Sequence, residues 1–205
     1  MNQNLAIKIY EGSLFITKLA LMNLCWIIFT LLGGVIFGVI PATLTLAEVF
    51  RKTIVSSDEF NWFRHAWRTY FVYMKKYFVV SLLFVGINLC LILSYYTLGF
   101  KYVIFKSVIV ITAFYVNCAV LPYLTINEVH FQLPIKVLLK NSALLPVFWT
   151  TTTLKIIAVS VAVILLSYLI PGGIPFFSFA IPIYLNTFFI LTRWQNYLKT
   201  EGREI

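Results

Sequence analysis

The sequence predicts an all-α protein that crosses a membrane several times. Four runs without charged residues cover most of the chain: Leu19–Ala47, Tyr77–Phe100, Ser107–Asn127 and Ile156–Thr192. About 20 apolar helical residues span the roughly 30 Å hydrocarbon core of a bilayer, so each run is long enough to cross. Composition agrees, because 61% of the residues are hydrophobic and only 11% are charged, against about 25% charged in a soluble domain. We therefore expect one membrane domain over residues 1–205, with the lipid bilayer as its surroundings.

The first apolar region is too long for a single crossing when it is extended to Leu14–Phe50. Gly33–Gly34 lies near its centre, and Pro41 follows. We expect the chain to turn at the glycine pair and form two short spans, Leu14–Leu32 and Val35–Phe50. The alternative is one span that ends near Pro41, followed by a helix on the membrane surface. The hairpin gives six spans in all, and the alternative gives five.

The remaining spans are also predicted to form hairpins. The middle pair, Tyr77–Thr97 and Val103–Tyr123, is joined by a short turn. The last apolar run would be about 55 Å long as one helix, which is too long for one crossing. The segment Pro171–Pro175, with two prolines and two glycines, interrupts this run. It is therefore predicted to form two spans, Pro146–Ile170 and Ile174–Arg193, which gives three helical hairpins in total.

The distribution of basic residues predicts the orientation. With six spans and both termini in the cytoplasm, Lys101 and Lys106 lie outside, and Lys155 lies within the fifth span. The cytoplasmic side then holds Lys8, Lys18, Arg51, Lys52, Arg64, Arg68, Lys75, Lys76, Lys136, Lys140, Arg193, Lys199 and Arg203. This asymmetry follows the positive-inside rule for a multi-pass protein of the cell membrane. The net charge of +9 is therefore assigned to anionic lipid headgroups, and nucleic acid is not expected as a partner.

The segment Phe60–Lys76 predicts an amphipathic helix on the cytoplasmic side. Its aromatic residues recur at helical spacing, and basic residues flank the apolar stripe. One interpretation is a helix in the membrane interface that leads into the next span. The other is a docking surface for a partner, because exposed aromatic and arginine side chains are common interface anchors. The candidate docking residues are Phe63, Arg64, Trp67, Arg68 and Tyr70.

Polar side chains within the apolar runs are candidate intramembrane sites. They are Asn23, Glu48, Asn88, Asn117, Lys155 and Asn186. The asparagines are expected to hydrogen-bond between helices, with a shared polar substrate site as the alternative. Glu48 is expected to pair with Arg51 and Lys52, one helical turn later. Lys155 is expected to extend to the headgroups, and Thr150–Thr153 would line a polar path in the alternative.

A short internal repeat supports the plan of helical hairpins. In each copy a proline is followed by a threonine and a Glu-Val pair: Pro41, Thr43 and Glu48–Val49, then Pro122, Thr125 and Glu128–Val129. Each copy leads into a basic stretch and then into another span.

Motifs of soluble enzymes are missing from the sequence. It contains no GxSxG, HExxH or P-loop pattern. Its two histidines, His65 and His130, lie in different connections. Cys25, Cys90 and Cys118 lie within the apolar runs, at spacings that match no metal or redox pattern. We therefore expect a protein that is not an enzyme and has no catalytic, cofactor-binding or metal-binding residues.

A set of motifs along the whole chain indicates a family. They are Asn23-Leu24-Cys25-Trp26, Gly38-Val39-Ile40-Pro41-Ala42-Thr43, Arg51-Lys52, Trp62-Phe63, Trp67, Tyr70 and Lys140-Asn141-Ser142-Ala143-Leu144-Leu145. Together they resemble the YesL-like family of small bacterial membrane proteins. The resemblance implies association with carbohydrate uptake, particularly with binding-protein-dependent ABC importers of plant oligosaccharides in Gram-positive bacteria. It carries over no catalytic residue.

The expected function is therefore that of a non-catalytic accessory component of a carbohydrate ABC importer. It would contact the permease subunits through its membrane helices and through Phe60–Lys76. The alternative is an independent small-solute transporter or channel that uses the asparagine and threonine side chains within the spans.

Overall fold

The computed structural model describes residues 3–56, 60–99 and 102–200, and every regular element in these ranges is helical. The longer helices are α1 (Gln3–Leu32), α2 (Val39–Val55), α3 (Trp62–Thr97), α4 (Val103–Tyr115), α5 (Leu121–Phe131), α6 (Ile135–Phe148), α7 (Thr150–Leu169) and α9 (Ala180–Thr200). A π-helical segment (Val116–Val120) joins α4 to α5, and a short 3-10 turn (Pro171–Gly173) precedes the four-residue α8 (Ile174–Phe177). Lys101 and Arg203, both included in the predicted charge distribution, lie outside the described residues.

Four helical stretches are long and apolar enough to cross a membrane: Ile7–Leu32, Trp62–Thr97, Val103–Phe131 and Thr150–Leu169. A fifth candidate consists of Pro171–Phe177 and Ala180–Lys199, which meet at an angle of 52°. Most residues of the four stretches are exposed, and α4 buries none of its residues. Water-soluble proteins rarely expose contiguous apolar surface on this scale, so the surface indicates a multi-pass membrane protein.

The predicted turn at the glycine pair is present, but the predicted span after it is not a candidate crossing. α2 runs back beside α1, and the Trp26 indole Nε1 donates a hydrogen bond of 3.1 Å to the Thr43 hydroxyl. α2 has 17 residues, which makes it about 25 Å long, shorter than the roughly 30 Å hydrocarbon core. Residues Ile40–Ala47 are all buried, because α1, α3, α5 and α9 pack around α2. The structure therefore contains four or five candidate spans, and α2 is its central buried helix.

The turn between α1 and α2 depends on glycine at three positions. Gly34 has a φ of 65°, a left-handed conformation that glycine adopts without strain. A Cβ on Gly33 would lie 2.3 Å from the Gly38 Cα, and a Cβ on Gly38 would lie 2.3 Å from the Thr30 carbonyl oxygen. The close approach of these backbones therefore excludes any side chain at Gly33 and Gly38.

The predicted amphipathic segment and the span after it form one helix, α3. The boundary predicted at Tyr77 is a kink, since Tyr77 has φ −108° and ψ 15°. As a 36-residue helix, α3 is about 54 Å long, so part of it extends beyond a hydrocarbon core of roughly 30 Å. The predicted amphipathic helix at Phe60–Lys76 is therefore present from Trp62 onward, as the first part of α3, and it leads into the next span across the kink at Tyr77.

Two other predicted boundaries differ in the structure. The span predicted to end at Tyr123 continues as helix to Phe131, and its last residues are buried beside α2. The span predicted to begin at Pro146 begins instead at Thr150. Pro146 lies inside α6, and the break follows it at Trp149, which has φ −104° and ψ 51°.

Most of the cations gather at one end of the bundle, which we call the basic end. Helix ends meet there: the Arg51 Nε lies 3.2 Å from the His130 Nδ1, and the Trp194 ring packs against Phe131 and Trp149. The described cations that these helix ends carry include Arg51, Lys52, Arg64, Arg68, Lys136, Lys155, Arg193 and Lys199. Lys106, at the start of α4, lies beside Tyr95 near the other end of α3.

Candidate functional site

Two carboxylates from different helices lie against the first half of α3. Glu128, on α5, has a side chain only 1% exposed, and its Oε1 is 2.5 Å from the Lys76 Nζ. Glu48, on α2, accepts a 3.1 Å hydrogen bond from the Tyr73 hydroxyl and lies 3.8 Å from the His65 Nε2. We call the group Glu48, Glu128, Tyr73, Lys76 and Tyr77 the buried polar cluster, after its three buried members Glu128, Tyr73 and Tyr77. The Glu48 side chain is 21% exposed, and the Lys76 side chain is 41% exposed.

The buried polar cluster has unsatisfied positions. The Glu128 Oε2 and the Tyr77 hydroxyl are both buried, and neither has a hydrogen-bond partner among the described residues. A buried polar atom without a partner is unfavourable, so each normally binds a group or a water. The Tyr77 hydroxyl and the Glu128 carboxylate interact with each other, so the two unsatisfied groups are neighbours.

The predicted pairing of Glu48 with Arg51 and Lys52 is wrong. Glu48 points to α3, whereas Arg51 contacts His130 at the end of α5. The Lys52 Nζ lies over the Phe60 ring, 4.5 Å from its centroid. The partners of Glu48 therefore come from a neighbouring helix, not from its own next turn.

Asn23 joins two distant parts of the chain. Its side-chain nitrogen donates to the Pro175 carbonyl at 2.7 Å. Its side-chain oxygen accepts 2.8 Å hydrogen bonds from the backbone nitrogens of Phe179 and Ala180. One amide thus satisfies backbone groups at the break between α8 and α9, where the helix cannot satisfy them itself.

The other three asparagines lie around the interior of the bundle. The Asn117 side chain, in the π-helical segment, donates a 2.7 Å hydrogen bond to Asn88 on α3. Asn186 is buried, and its Oδ1 has no hydrogen-bond partner among the described residues. Asn117 and Asn186 line one cavity of about 270 Å³, together with Thr43, Thr125, Ser160 and apolar side chains. Two of the four predicted asparagines therefore line one cavity whose surface is mostly apolar.

Lys155 and the threonines before it lie at the basic end. Thr153 is buried and hydrogen-bonds the Tyr123 hydroxyl at 3.1 Å and the Pro146 carbonyl at 2.8 Å. Thr150–Thr152 and Lys155 line an open cleft of about 490 Å³ between α7 and α9. The predicted run of four hydroxyls is therefore divided between a structural contact and an open cleft.

Four of the five predicted docking residues are exposed. Phe63 is 50% exposed and Trp67 is 43% exposed, and Arg64 and Arg68 are also exposed. The prediction that Tyr70 is a docking residue is wrong, because Tyr70 is buried. Its ring stacks on Phe29, and its hydroxyl donates a 2.7 Å hydrogen bond to the Phe29 carbonyl. α3 turns Tyr70 toward α1, so Tyr70 is not available to a partner.

Sequence reasoning missed the partners of the carboxylates. Glu128 was placed in a connection after Tyr123, yet it is the more deeply buried acid of the two. The sequence pattern assigns no role to Tyr73 and identifies Tyr77 only as the start of the next span. The internal repeat held the available signal, because it matches Glu128 with Glu48, and α2 packs against α5.

Other groups offer little for metal or thiol chemistry. Within the described residues, no three His, Cys, Asp or Glu side chains lie close enough together to hold a metal ion. Cys25 is buried and Cys90 is exposed, and both are free thiols. The candidate site therefore consists of the buried polar cluster, the asparagine-lined cavity and the exposed face of α3.

Comparison with known proteins places these features in a family. The family profile described as Protein of unknown function, DUF624 matches residues 19–98, which hold Glu48 and the exposed face of α3. The Uncharacterized protein YteU of Bacillus subtilis (strain 168) is 34% identical over 185 residues, which cover 84% of this chain and 78% of that protein. The Uncharacterized protein YesV of the same organism is 28% identical over 200 residues, covering 95% of this chain and 94% of that protein. No solved structure matches the chain.

Proposed function

The chain belongs to the family described as Protein of unknown function, DUF624, and we propose that within it this is a YesL-like, non-catalytic accessory component of a carbohydrate ABC importer. The protein is multi-pass in the cell membrane, with both termini and the basic end in the cytoplasm. Its partners are the permease subunits of the importer. The sequence resemblance to the YesL-like family motivates this choice of partner.

The observation that carries the proposal is the exposed face of α3, on which Trp67 is 43% exposed and also contacts Phe29 of α1 with ring centroids 6.0 Å apart. Phe63 and Trp67 stack with ring centroids 6.3 Å apart, and Phe71 packs edge-on against Trp67. Arg64 and Arg68 are exposed in the same turns. Exposed aromatic side chains beside arginines form the centre of many protein interfaces. Tyr70 and Tyr73 mark one edge of this face, because both are buried against the rest of the bundle.

Copurification tests the docking face. In mild detergent, the wild-type protein should recover permease subunits in stoichiometric amount. The Trp67→Ala and Arg68→Ala double variant should recover at least about tenfold less, because losing two interface anchors costs more than about 1.4 kcal/mol. The expression level of the variant should stay unchanged.

A matched control tests whether the loss of recovery is specific to the docking face or follows from removing any exposed aromatic and basic side chains. Lys8→Ala with Tyr10→Ala removes an exposed cation and an exposed aromatic residue from α1. It should recover the permease as the wild type does. Equal recovery by wild type and the α3 variant, or equal loss in the control, contradicts this docking face.

The asparagine-lined cavity favours a second function, that of an independent small-solute transporter or channel. The buried Asn186 Oδ1 without a partner is the specific observation, since it leaves an acceptor open in a cavity of about 270 Å³. Polar groups within a membrane protein often mark a solute path.

Flux into liposomes that contain this chain alone tests the second function. If the chain transports, labelled glycerol should enter faster than into empty liposomes. Asn186→Leu should then lower the flux at least about tenfold, since it removes the open acceptor and fills the cavity. Asn141→Leu, on α6 and outside the cavity, is the control and should keep the flux. Flux equal to that of empty liposomes removes this alternative.

A further inference from the structure

The cleft between the beginning of α7 and the end of α9 has the composition of an anion site. Its volume is about 490 Å³, within the range of roughly 300–1,000 Å³ of small-molecule sites. Lys155 and Arg193 line it, and none of its lining residues is acidic. The two cations form no ion pair with any described carboxylate. Their positive charge is therefore available to a ligand.

Aromatic rings, not carboxylates, hold the two cations in place. The Lys155 Nζ lies 5.8 Å from the centroid of the Phe189 ring. The Arg193 guanidinium lies 5.6 Å from the centroid of the Trp149 ring. Such cation–π contacts position a cation but leave its charge and most of its N–H donors unneutralised.

The start of α7 supplies hydrogen-bond donors to the same cleft. In the first turn of α7, the backbone nitrogen of Thr153 donates a 3.0 Å hydrogen bond to the Trp149 carbonyl. The N–H groups of Thr150, Thr151 and Thr152 precede it and have no acceptor within the helix. The helix dipole also favours negative charge at this end.

Thr152 is an independent sign of a ligand. Its side chain is only 7% exposed, it lines the cleft, and it forms no hydrogen bond with the described residues. Thr150 and Thr192, in contrast, donate to the backbone carbonyls of Val147 and Phe188. The Thr152 hydroxyl, which has no hydrogen-bond partner among the described residues, therefore lies at the same cleft as the two cations and the first turn of α7.

We propose that this cleft binds a phosphate group through Lys155, Arg193 and the first turn of α7. Phosphate suits these donors because it offers several acceptor oxygens and at least one negative charge. The group could belong to a lipid headgroup or to a soluble phosphate. The nearby Trp149 and Trp194 resemble the aromatic belts found at headgroup depth.

Binding to the purified full-length chain in an uncharged maltoside detergent tests the proposal. Dioleoyl phosphatidic acid is one probe, with dioleoylglycerol, the same lipid without its phosphate, as its reference. Inorganic phosphate is the second probe, with chloride at equal ionic strength as its reference. Native mass spectrometry measures lipid binding, and thermal unfolding measures stabilisation by either probe.

The expected result is that a phosphate-bearing probe binds at least tenfold more tightly than its reference. Lys155→Gln with Arg193→Gln should weaken that binding about a hundredfold, because each charge-assisted contact is worth about tenfold or more. Preference for phosphatidic acid identifies a lipid headgroup, and stabilisation by inorganic phosphate alone identifies a soluble phosphate. Either result supports the site.

Two further variants keep the test decisive. Thr152→Val removes the unpartnered hydroxyl without changing the charge, and it should weaken binding about fivefold. If the double variant fails to fold, the binding affinity of Thr152→Val tests the site in its place. Lys136→Gln with Lys140→Gln removes two exposed cations of the basic end that lie outside the cleft, and binding should change less than about twofold.

The proposal is overturned if neither probe binds better than its reference. It is also overturned if the Lys136 and Lys140 control loses as much affinity as the cleft variant, because net charge would then explain the binding. The site is independent of the docking face of α3, so neither result decides the proposed accessory function.

Discussion

Replacing Lys76 by methionine is expected to destabilise the folded protein by about 3–5 kcal/mol. Lys76 is the ionic partner of Glu128, whose side chain is 1% exposed. Without it, a carboxylate that already has one unsatisfied oxygen would lie buried with no opposing charge. Such a charge is far more unfavourable inside the protein than in water. Unfolding in mixed micelles, with the denaturing detergent titrated at constant lipid, measures the change.

The neighbouring lysine provides the control for Lys76. Lys75 is exposed and has no contact with the buried polar cluster, so Lys75→Met should change the stability by less than about 0.5 kcal/mol. Adding Glu128→Gln to Lys76→Met should recover most of the loss, because it removes the buried charge itself. A double variant as unstable as Lys76→Met alone would show that the pair does not act through charge.

Replacing Gly38 by alanine should be similarly damaging, with a loss of about 3 kcal/mol or more. The new Cβ would lie 2.3 Å from the Thr30 carbonyl oxygen and 2.8 Å from the Thr30 Cα. Both atoms belong to backbone, so they cannot move aside without separating α1 from α2. Because α2 is the central helix of the bundle, this separation would disturb the packing of α3, α5 and α9 as well.

The same substitution at Gly86 is expected to increase stability instead of lowering it. Gly86 lies within α3, and a Cβ built on it meets nothing within 4 Å. Gly86→Ala should stabilise the protein by up to about 1 kcal/mol, since alanine favours helix over glycine. Thermal unfolding in detergent should therefore move in opposite directions for the two variants. A Gly38→Ala protein that melts with the wild type would contradict the close approach of α1 and α2.

The fold class and the positions of most helices followed from local pattern. Runs of apolar residues predicted the membrane helices, and the glycine pair and Pro171–Pro175 predicted two of the turns. These features are local, because helix formation and chain reversal depend on residues close in sequence. The number of spans, in contrast, could not be predicted from local sequence pattern. α2 is shorter than the candidate crossing helices and carries Glu48, Arg51 and Lys52, but its burial among four neighbours is decided only by the packing of the helices.

The candidate site was predicted less completely. Four of the five docking residues proved to be exposed, but Tyr70 is buried, because α1 covers the edge of the stripe on which Tyr70 lies. The two asparagines that share a cavity were identified individually, yet their convergence was only one of two alternatives. Glu128 and its Lys76 partner are 52 residues apart, and no periodicity predicts such a pair.

By itself, the sequence determined that this protein is helical, apolar and basic at one end, because hydrophobic length and charge position are properties of short segments. Only the tertiary structure decided which polar groups meet. Asn23 reaches Pro175, Lys76 reaches Glu128, and Lys155 shares a cleft with Arg193. These contacts depend on how the helices pack against one another, and helix packing is set by side-chain shapes across the whole bundle.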